Sequence, residues 1–543
     1  MTRLQHALRC AVAFAIMALG GTAAGANDIY IAQTSAGAGT GADCADAYAY
    51  TFFNAAGNWG TGAGKISPGT TVHLCGTFTG TAGQTLLTSQ GNGSSGSPIT
   101  IHFETGAVLT APYWSSNGAI RLFGAAYIVV DGGTNGIIQN TANGTGLAYQ
   151  QSSRAIVALY ACNYCEVKNL TVSNLYVHAQ CEASSGCDTT VDQTSVNAVQ
   201  FSGTNVLIHD NTIHDIGWAI FQEYVTNGDT GIQIYNNNIY NMDHGFAGGA
   251  GPNVTVPLLS IYNNHFHDMA AWDTGTADHY HHDGIHIFSS LSPVGKIQNL
   301  YIYNNLFDGN EGSCCVTAWV FLEGGASAGS TPWTDSTGTA YIFNNVIVGS
   351  IDTGNGQLSI GSGTGHQVLN NTILGVNQGK NGSCLLFDTA ATNVTVENNA
   401  ISGCNQLLAN GNPQPTSFAL IDYNAYGGNI TGGNPHFNFA AFNANTFSAW
   451  RTVCGCDAHS VASLGTAFSM TSEGAPQAVF MGLRAGADLS SLATGPLASL
   501  SSDTSAGGTH TPVVRPSSGA WDMGAYAYSS AVNPPTGLTV VVH

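Results

Sequence analysis

The chain has 543 residues, only 8% of them charged, and a formal net charge of −20. An acidic protein repels phosphate backbones, which excludes nucleic acid as a partner. Gly, Ser, Thr and Asn stand in for the usual Lys and Glu, a composition that makes poor helices and suits a turn-rich β surface.

Residues 1–26 read as a secretory signal: Arg3 and Arg9 precede the apolar run Cys10–Gly20, and Ala24-Gly25-Ala26 offers a small-residue cleavage site. That run is too short to span a bilayer, which takes about 20 residues. No later segment is longer and comparably apolar, so the expectation is an exported protein, extracellular or periplasmic, with no membrane partner. Cys10 lies in the signal and leaves twelve cysteines, among them Cys44/Cys75, Cys162/Cys165, Cys181/Cys187, Cys314/Cys315, Cys384/Cys404 and Cys454/Cys456. In an exported chain these favour disulfides over zinc, with the pairing left open.

Residues 27–100 are expected to form an N-terminal cap and first coils. Thr71-Val-His-Leu-Cys75, Ile99-Thr-Ile-His-Phe103, Tyr127-Ile-Val-Val-Asp131 and Cys165-Glu-Val-Lys-Asn-Leu170 read as strands followed by polar or Gly turns. A phrase I/V-x-N/D-N-x-I/F then recurs, from Ile208-His-Asp-Asn211-Thr-Ile213 to Val396-Glu-Asn-Asn399-Ala-Ile401. Its ladder positions Asn211, Asn237, Asn264, Asn305, Asn345, Asn371 and Asn399 are spaced by 26, 27, 41, 40, 26 and 28 residues. A fixed period of this size signals a solenoid, with the two longer intervals carrying loop insertions. Alternation puts Ile or Val inward, and Asn turns the corner, tolerating the left-handed conformation while bonding the Asn one coil above. The period is too short for propeller blades.

The expected fold is therefore all-β: a single-stranded right-handed parallel β-helix over 27–410 including its cap. A C-terminal capping region follows over 411–530, with a helix near Ala440–Thr452, and a flexible tail over 531–543. The Asn phrase resembles the secreted right-handed β-helix proteins of the pectin-lyase-like superfamily. Gly519-Ala-Trp-Asp-Met-Gly-Ala-Tyr-Ala-Tyr528 is similar to the closing signature of many bacterial members. The resemblance implies this fold and, in many members, polysaccharide lyase or glycoside hydrolase activity; others are epimerases or adhesins.

Nine of the eighteen His lie between His209 and His286, densest in Asp278-His-Tyr-His-His-Asp-Gly-Ile-His286, and no Lys or Arg occurs between Lys168 and Lys296. Aligning Gly217, Gly245 and Gly284 stacks Asp215, Asp243 and the His282-Asp283 pair on one face of three coils. His214, His267, Asp268 and Asp308 border that patch, and an inserted loop over Met269–Tyr280 flanks it. Coils spaced about 4.8 Å apart bring carboxyl groups to the separations glycosidases use. Mutual repulsion raises one carboxyl pKa and creates a proton donor.

The candidate catalytic residues are Asp283, Asp243, Asp215, His282, His286 and His244. Trp218, Trp272, Tyr280 and Asp308 are candidates for binding sugar. No cofactor is required; Ca²⁺ or another divalent metal is an option, with its ligands unassigned. Asp283-Gly284-Ile285 partly resembles the acidic motif of polygalacturonase-type hydrolases, whose other motifs are missing. The expected function is extracellular cleavage of a polysaccharide by carboxylate/His hydrolysis. The alternatives are β-elimination with a His or Tyr base and metal assistance, and a non-catalytic adhesin.

Overall fold

A computed structural model of the chain describes residues 28–143, 151–175, 196–225, 229–269, 282–289, 295–312, 316–323, 337–350, 356–361, 363–375, 382–387, 391–410, 418–428, 435–439 and 442–528. The segments expected to be the signal and the tail, Trp272, Tyr280 and the cysteines at 181, 187, 314 and 315 lie outside these.

The repeat phrase sets the architecture. Each copy pairs in parallel with the next copy, one coil on, so equivalent side chains stack. One inward column runs Ile208, Ile234, Ile261, Ile302, Ile342, Val368, Val396, Ile421. A second runs Ile213, Ile239, Phe266, Phe307, Ile347, Ile373, Ile401, Tyr426. A third, on the following strand, runs Ile220, Phe246, Ile285, Val320, Leu358, Leu385, Leu408, Phe437. All are at most 4% exposed. Burying each such side chain contributes about 1.5–3 kcal/mol before its ordering entropy is charged against it. The result is the expected parallel β-helix.

The two polar residues of each phrase divide the labour at the corner. The first carries the left-handed backbone: Asp210, Asn236, Asn263, Asn304, Asn344, Asn370 and Asn398 have φ between 50° and 60°. The second forms the ladder and is not itself left-handed, which corrects the expectation that one Asn does both. Asn211 Nδ2 donates to Asn237 Oδ1 at 2.9 Å, and the pattern continues through Asn264, Asn305, Asn345, Asn371 and Asn399 to Asn424 at 2.9–3.1 Å. The same amides donate to backbone carbonyls of the preceding coil, as Asn305 Nδ2 does to Ile261 O at 3.0 Å. Each ladder amide is thereby satisfied by its neighbours.

Coil stacking continues past residue 410. Phe418–Asp422, Ala425–Gly428 and Val461–Leu464 pair in parallel with the strands before them. The helix expected near Ala440–Thr452 begins later, over Phe447–Cys454, because Phe442–Ala444 pairs as a strand with Phe437–Phe439; it is capped by Thr446 Oγ1 accepting from Ala449 N and by left-handed Gly455. Its buried Trp450 stacks on Phe437 and Phe439 at the end of the third column. The chain then turns back along the outside. Leu489, Leu500 and Trp521 cover Tyr301, Phe343 and Leu369. Buried Arg515 bonds Asn344 Oδ1 at 3.1 Å, and Gly507 N reaches Asn304 O at 2.9 Å. Disulfides join Cys44 to Cys75 and Cys384 to Cys404 across coils, Cys162 to Cys165 within a loop, and Cys454 to Cys456 at the end of the helix. Among the described residues no helix is long and apolar enough to cross a membrane.

Replacing Asn305 by Ala is expected to cost about 1–3 kcal/mol by stranding buried partners in two coils, read as a lowered urea midpoint. A second expectation concerns Glu397, which lies opposite Asp422 on the next coil. Burial first, and the Asp422 charge second, raise its pKa from 4.5 to about 7. A carboxyl raised by folding weakens the fold as it ionises, so the stability it permits is present below pH 4.5 and is lost as pH rises to about 7. Glu397→Gln is expected to flatten the fall in Tm across that window.

Candidate active site

The strand following each ladder corner bends a second time. Left-handed Asp215, Asn241 and Asp268 mark this bend. Beyond it the register runs Arg154, Asn197, Trp218, His244, Asp283, Ala318, one residue per coil. The glycines just past His244 and Asp283 let the chain follow the core at this point. A Cβ on Gly245 would lie 2.3 Å from the Phe266 ring, and one on Gly284 would lie 2.5 Å from Trp319 O.

Asp243 is the hub. It is fully buried, and an ionised carboxylate only accepts hydrogen bonds, so its neighbours must donate. His244 Nδ1 donates to its Oδ2 and His282 Nδ1 to its Oδ1, each at 2.6 Å; Trp218 Nε1 donates to Oδ2 at 3.0 Å. These bonds fix both imidazoles through Nδ1 and leave Nε2 as the atom for chemistry. His244 Nε2 lies 3.3 Å from Asp283 Oδ2 and 3.3 Å from His286 Nδ1. Asp283 Oδ1 accepts the Ala318 N–H at 3.0 Å, and His286 Nε2 lies 3.2 Å from Glu323 Oε2. Asp243, His244, His282, Asp283 and His286 are at most 6% exposed, whereas the Glu323 side chain is 46% exposed.

Aromatic rings wall the two central imidazoles. Trp218 packs 4.8 Å from His244, Phe321 stacks 5.0 Å from His286, and Phe288 lies 5.1 Å from His286. Trp218, Phe221 and Phe288 are half-buried and keep ring surface open.

This arrangement alters several expectations. Asp215 does not join Asp243 and Asp283. It belongs to the earlier bend, where it holds His214 at 2.7 Å and accepts from Asn241 Nδ2 at 3.3 Å. Aligning glycines displaced that coil by two residues. Counting seven residues from ladder Asn211 and Asn237 reaches Trp218 and His244, the observed pair. Asp308 also lies on the earlier wall, bonded to His265 at 2.7 Å. Asp243 and Asp283 do not face each other directly, because the His244 ring bridges them. Nor does repulsion turn Asp243 into a proton donor. Burial alone would push its pKa up, but the charges and hydrogen bonds of His244 and His282 hold it well below the usual carboxylate range. Burial would lower His244, yet Asp243 and Asp283 outweigh it and raise it to about 9. Trp319, on the neighbouring coil, is sealed in the core.

Two groups escaped the sequence reading. Glu323 sits one coil beyond His286 and reaches back to it. Arg154 lies on the same strip three coils before His244, with Lys168 the sole Lys or Arg between them in sequence. Only strand register discloses either.

His244, Asp283 and His286 offer two imidazole nitrogens and one carboxylate oxygen. Ca²⁺ takes about six to eight oxygens, so this donor set does not fit the calcium option.

No family model matches the chain, and no curated protein does. Among solved structures it is similar to a mannuronic acid specific polysaccharide family 6 lyase from human gut microbiota, at 13% identity and TM-score 0.40, covering 76% of this chain and 83% of that one. It is also similar to pectate lyase Pel9A, at 14% identity and TM-score 0.35, covering 93% and 96%. A third is the family 6 alginate lyase AlyGC, at 12% identity and TM-score 0.33, covering 69% and 51%.

Gly284→Ala is expected to force the strand away from Trp319, costing about 1–3 kcal/mol and lowering Tm, because a methyl has no room beside that carbonyl.

Proposed function

We propose that the protein is an exported polysaccharide-cleaving enzyme that acts by β-elimination on a uronate-containing glycan. The observation that carries this reading is the Asp243 hub, which fixes two imidazoles through Nδ1 and directs their Nε2 atoms to proton transfer. In elimination the base takes the proton next to the uronate carboxylate. That electron pair forms the ring double bond, the glycosidic C–O bond breaks, and the leaving oxygen is protonated. A carboxylate-oriented imidazole suits the first step, contributing about 10²–10⁴-fold.

The same step develops negative charge, which a cationic centre must offset. The sequence places no Lys or Arg between Lys168 and Lys296 to supply it. In the metal-free centre His244, held protonated by Asp243 and Asp283, supplies that charge. Hydrolysis by two carboxyls fits less well. Asp243 is held ionised and committed to three donors, and Asp283 is committed to Ala318 and His244. The half-buried rings of Trp218, Phe221 and Phe288 suit stacking on sugar faces.

The test is a panel of neutral and uronate-containing polysaccharides assayed for both reducing ends and the ultraviolet absorbance of unsaturated products. Elimination gives both signals. Reducing ends alone would establish hydrolysis, and neither signal would leave a binding protein. Asp243→Asn is expected to lower kcat by about 10²–10⁴-fold while far-ultraviolet circular dichroism stays β-rich. Undiminished turnover in that variant would remove the hub from the chemistry.

A further inference from the structure

We propose that His244, Asp283 and His286 bind one divalent first-row transition cation of the zinc class, at His244 Nε2, Asp283 Oδ2 and His286 Nδ1. This deepens the reading above, since it concerns the same centre, but cation binding does not require that glycan cleavage be correct.

Three observations carry it. The first is the spacing of the donors. Ligands on a tetrahedral ion with bonds of about 2.0–2.2 Å stand about 3.3–3.6 Å apart. The three atoms here are separated by 3.3, 3.3 and 3.8 Å. The contacts within the triangle are longer than the 2.6 Å bond His244 makes on its other side. They are also longer than charge-assisted hydrogen bonds of about 2.7–2.9 Å. The atoms converge on a common point rather than closing on one another.

The second is the outer shell. Histidines that ligate metals donate their other ring N–H to a carboxylate or carbonyl, which fixes the ring and raises its basicity. His244 does so to Asp243, and His286 is placed to do so to Glu323. The free oxygen of the third ligand is held as well, by the Ala318 N–H. Every ligand is thus oriented from behind by a separate group.

The third is support. The ligands come from strands paired in parallel, Asn238–Ala250 and His282–Ser289, and all three are at most 6% exposed. Two imidazoles and a carboxylate suit zinc, cobalt, nickel or iron and leave coordination positions for water or substrate. His282 is the other imidazole held by Asp243.

The experiment uses the full exported chain, purified without metal-affinity chromatography, stripped by chelator and titrated with Co²⁺. One equivalent is expected to bind with the ligand-field absorption of a four- or five-coordinate nitrogen–oxygen site. His286→Gln is expected to abolish those bands. Glu323→Gln, at a half-exposed position, is expected to weaken binding by about 10–100-fold without altering the metal-free melting curve. Failure of the folded wild-type chain to bind Co²⁺, or unchanged affinity and spectrum in His286→Gln and Glu323→Gln, would overturn the site. Chelator-insensitive release of unsaturated products by a chain that does not bind cobalt sinks the cation and leaves elimination standing. Stoichiometric cobalt binding with no product from any glycan upholds the site and sinks the lyase reading.

Discussion

The buried asparagine ladder is the constraint on which the rest of this molecule depends. Each amide bonds the amide above it and a carbonyl below it, so a coil shifted by one residue strands polar atoms inside the protein. The same slip would turn the aliphatic columns toward water, because side chains alternate along a strand. Polar and apolar demands therefore select one register. Residues far apart in sequence stand opposite one another to within ångströms because neither demand can be met elsewhere.

The histidine–aspartate centre draws on that rigidity. Burying two carboxylates is expensive, and Asp243 is tolerable only because three donors converge on it. Those donors come from three successive coils, at Trp218, His244 and His282. A looser scaffold would let the carboxylate find water. Here the backbone holds the imidazoles in one orientation, with Nδ1 of His244 and His282 on Asp243, the condition for proton transfer or metal ligation at a defined atom.

Much of the fold was legible because its signal is periodic. The Asn phrase marks both the inward columns and the corner, and its spacing marks where loops are inserted. The helix was legible only in outline, since the strand Phe442–Ala444 takes the first part of the stretch expected to be helical. The centre was half legible. The run from His279 to His286 pointed to the right strand, and Asp243, His244, His282, Asp283 and His286 do assemble. Asp215 went astray because glycines recur for more than one reason, whereas the ladder Asn has one. Glu323 and Arg154 were invisible because each lies alone in sequence, and only strand pairing gives either a neighbour. The protonation of the carboxyls was misread because counting acids ignores the donors packed against them.

The return of the C-terminal segment has a consequence for the order in which this protein can be completed. Arg515, Trp521 and Gly524 are among the last described residues of the chain, yet they seat on Asn344, Leu369 and Asn398, which were made more than a hundred residues earlier. A solenoid can coil as it emerges, one turn on the last. This one leaves a flank of Tyr301, Phe343 and Leu369 uncovered until its final strap arrives, so a nascent or truncated chain carries a sticky seam along an otherwise finished rod.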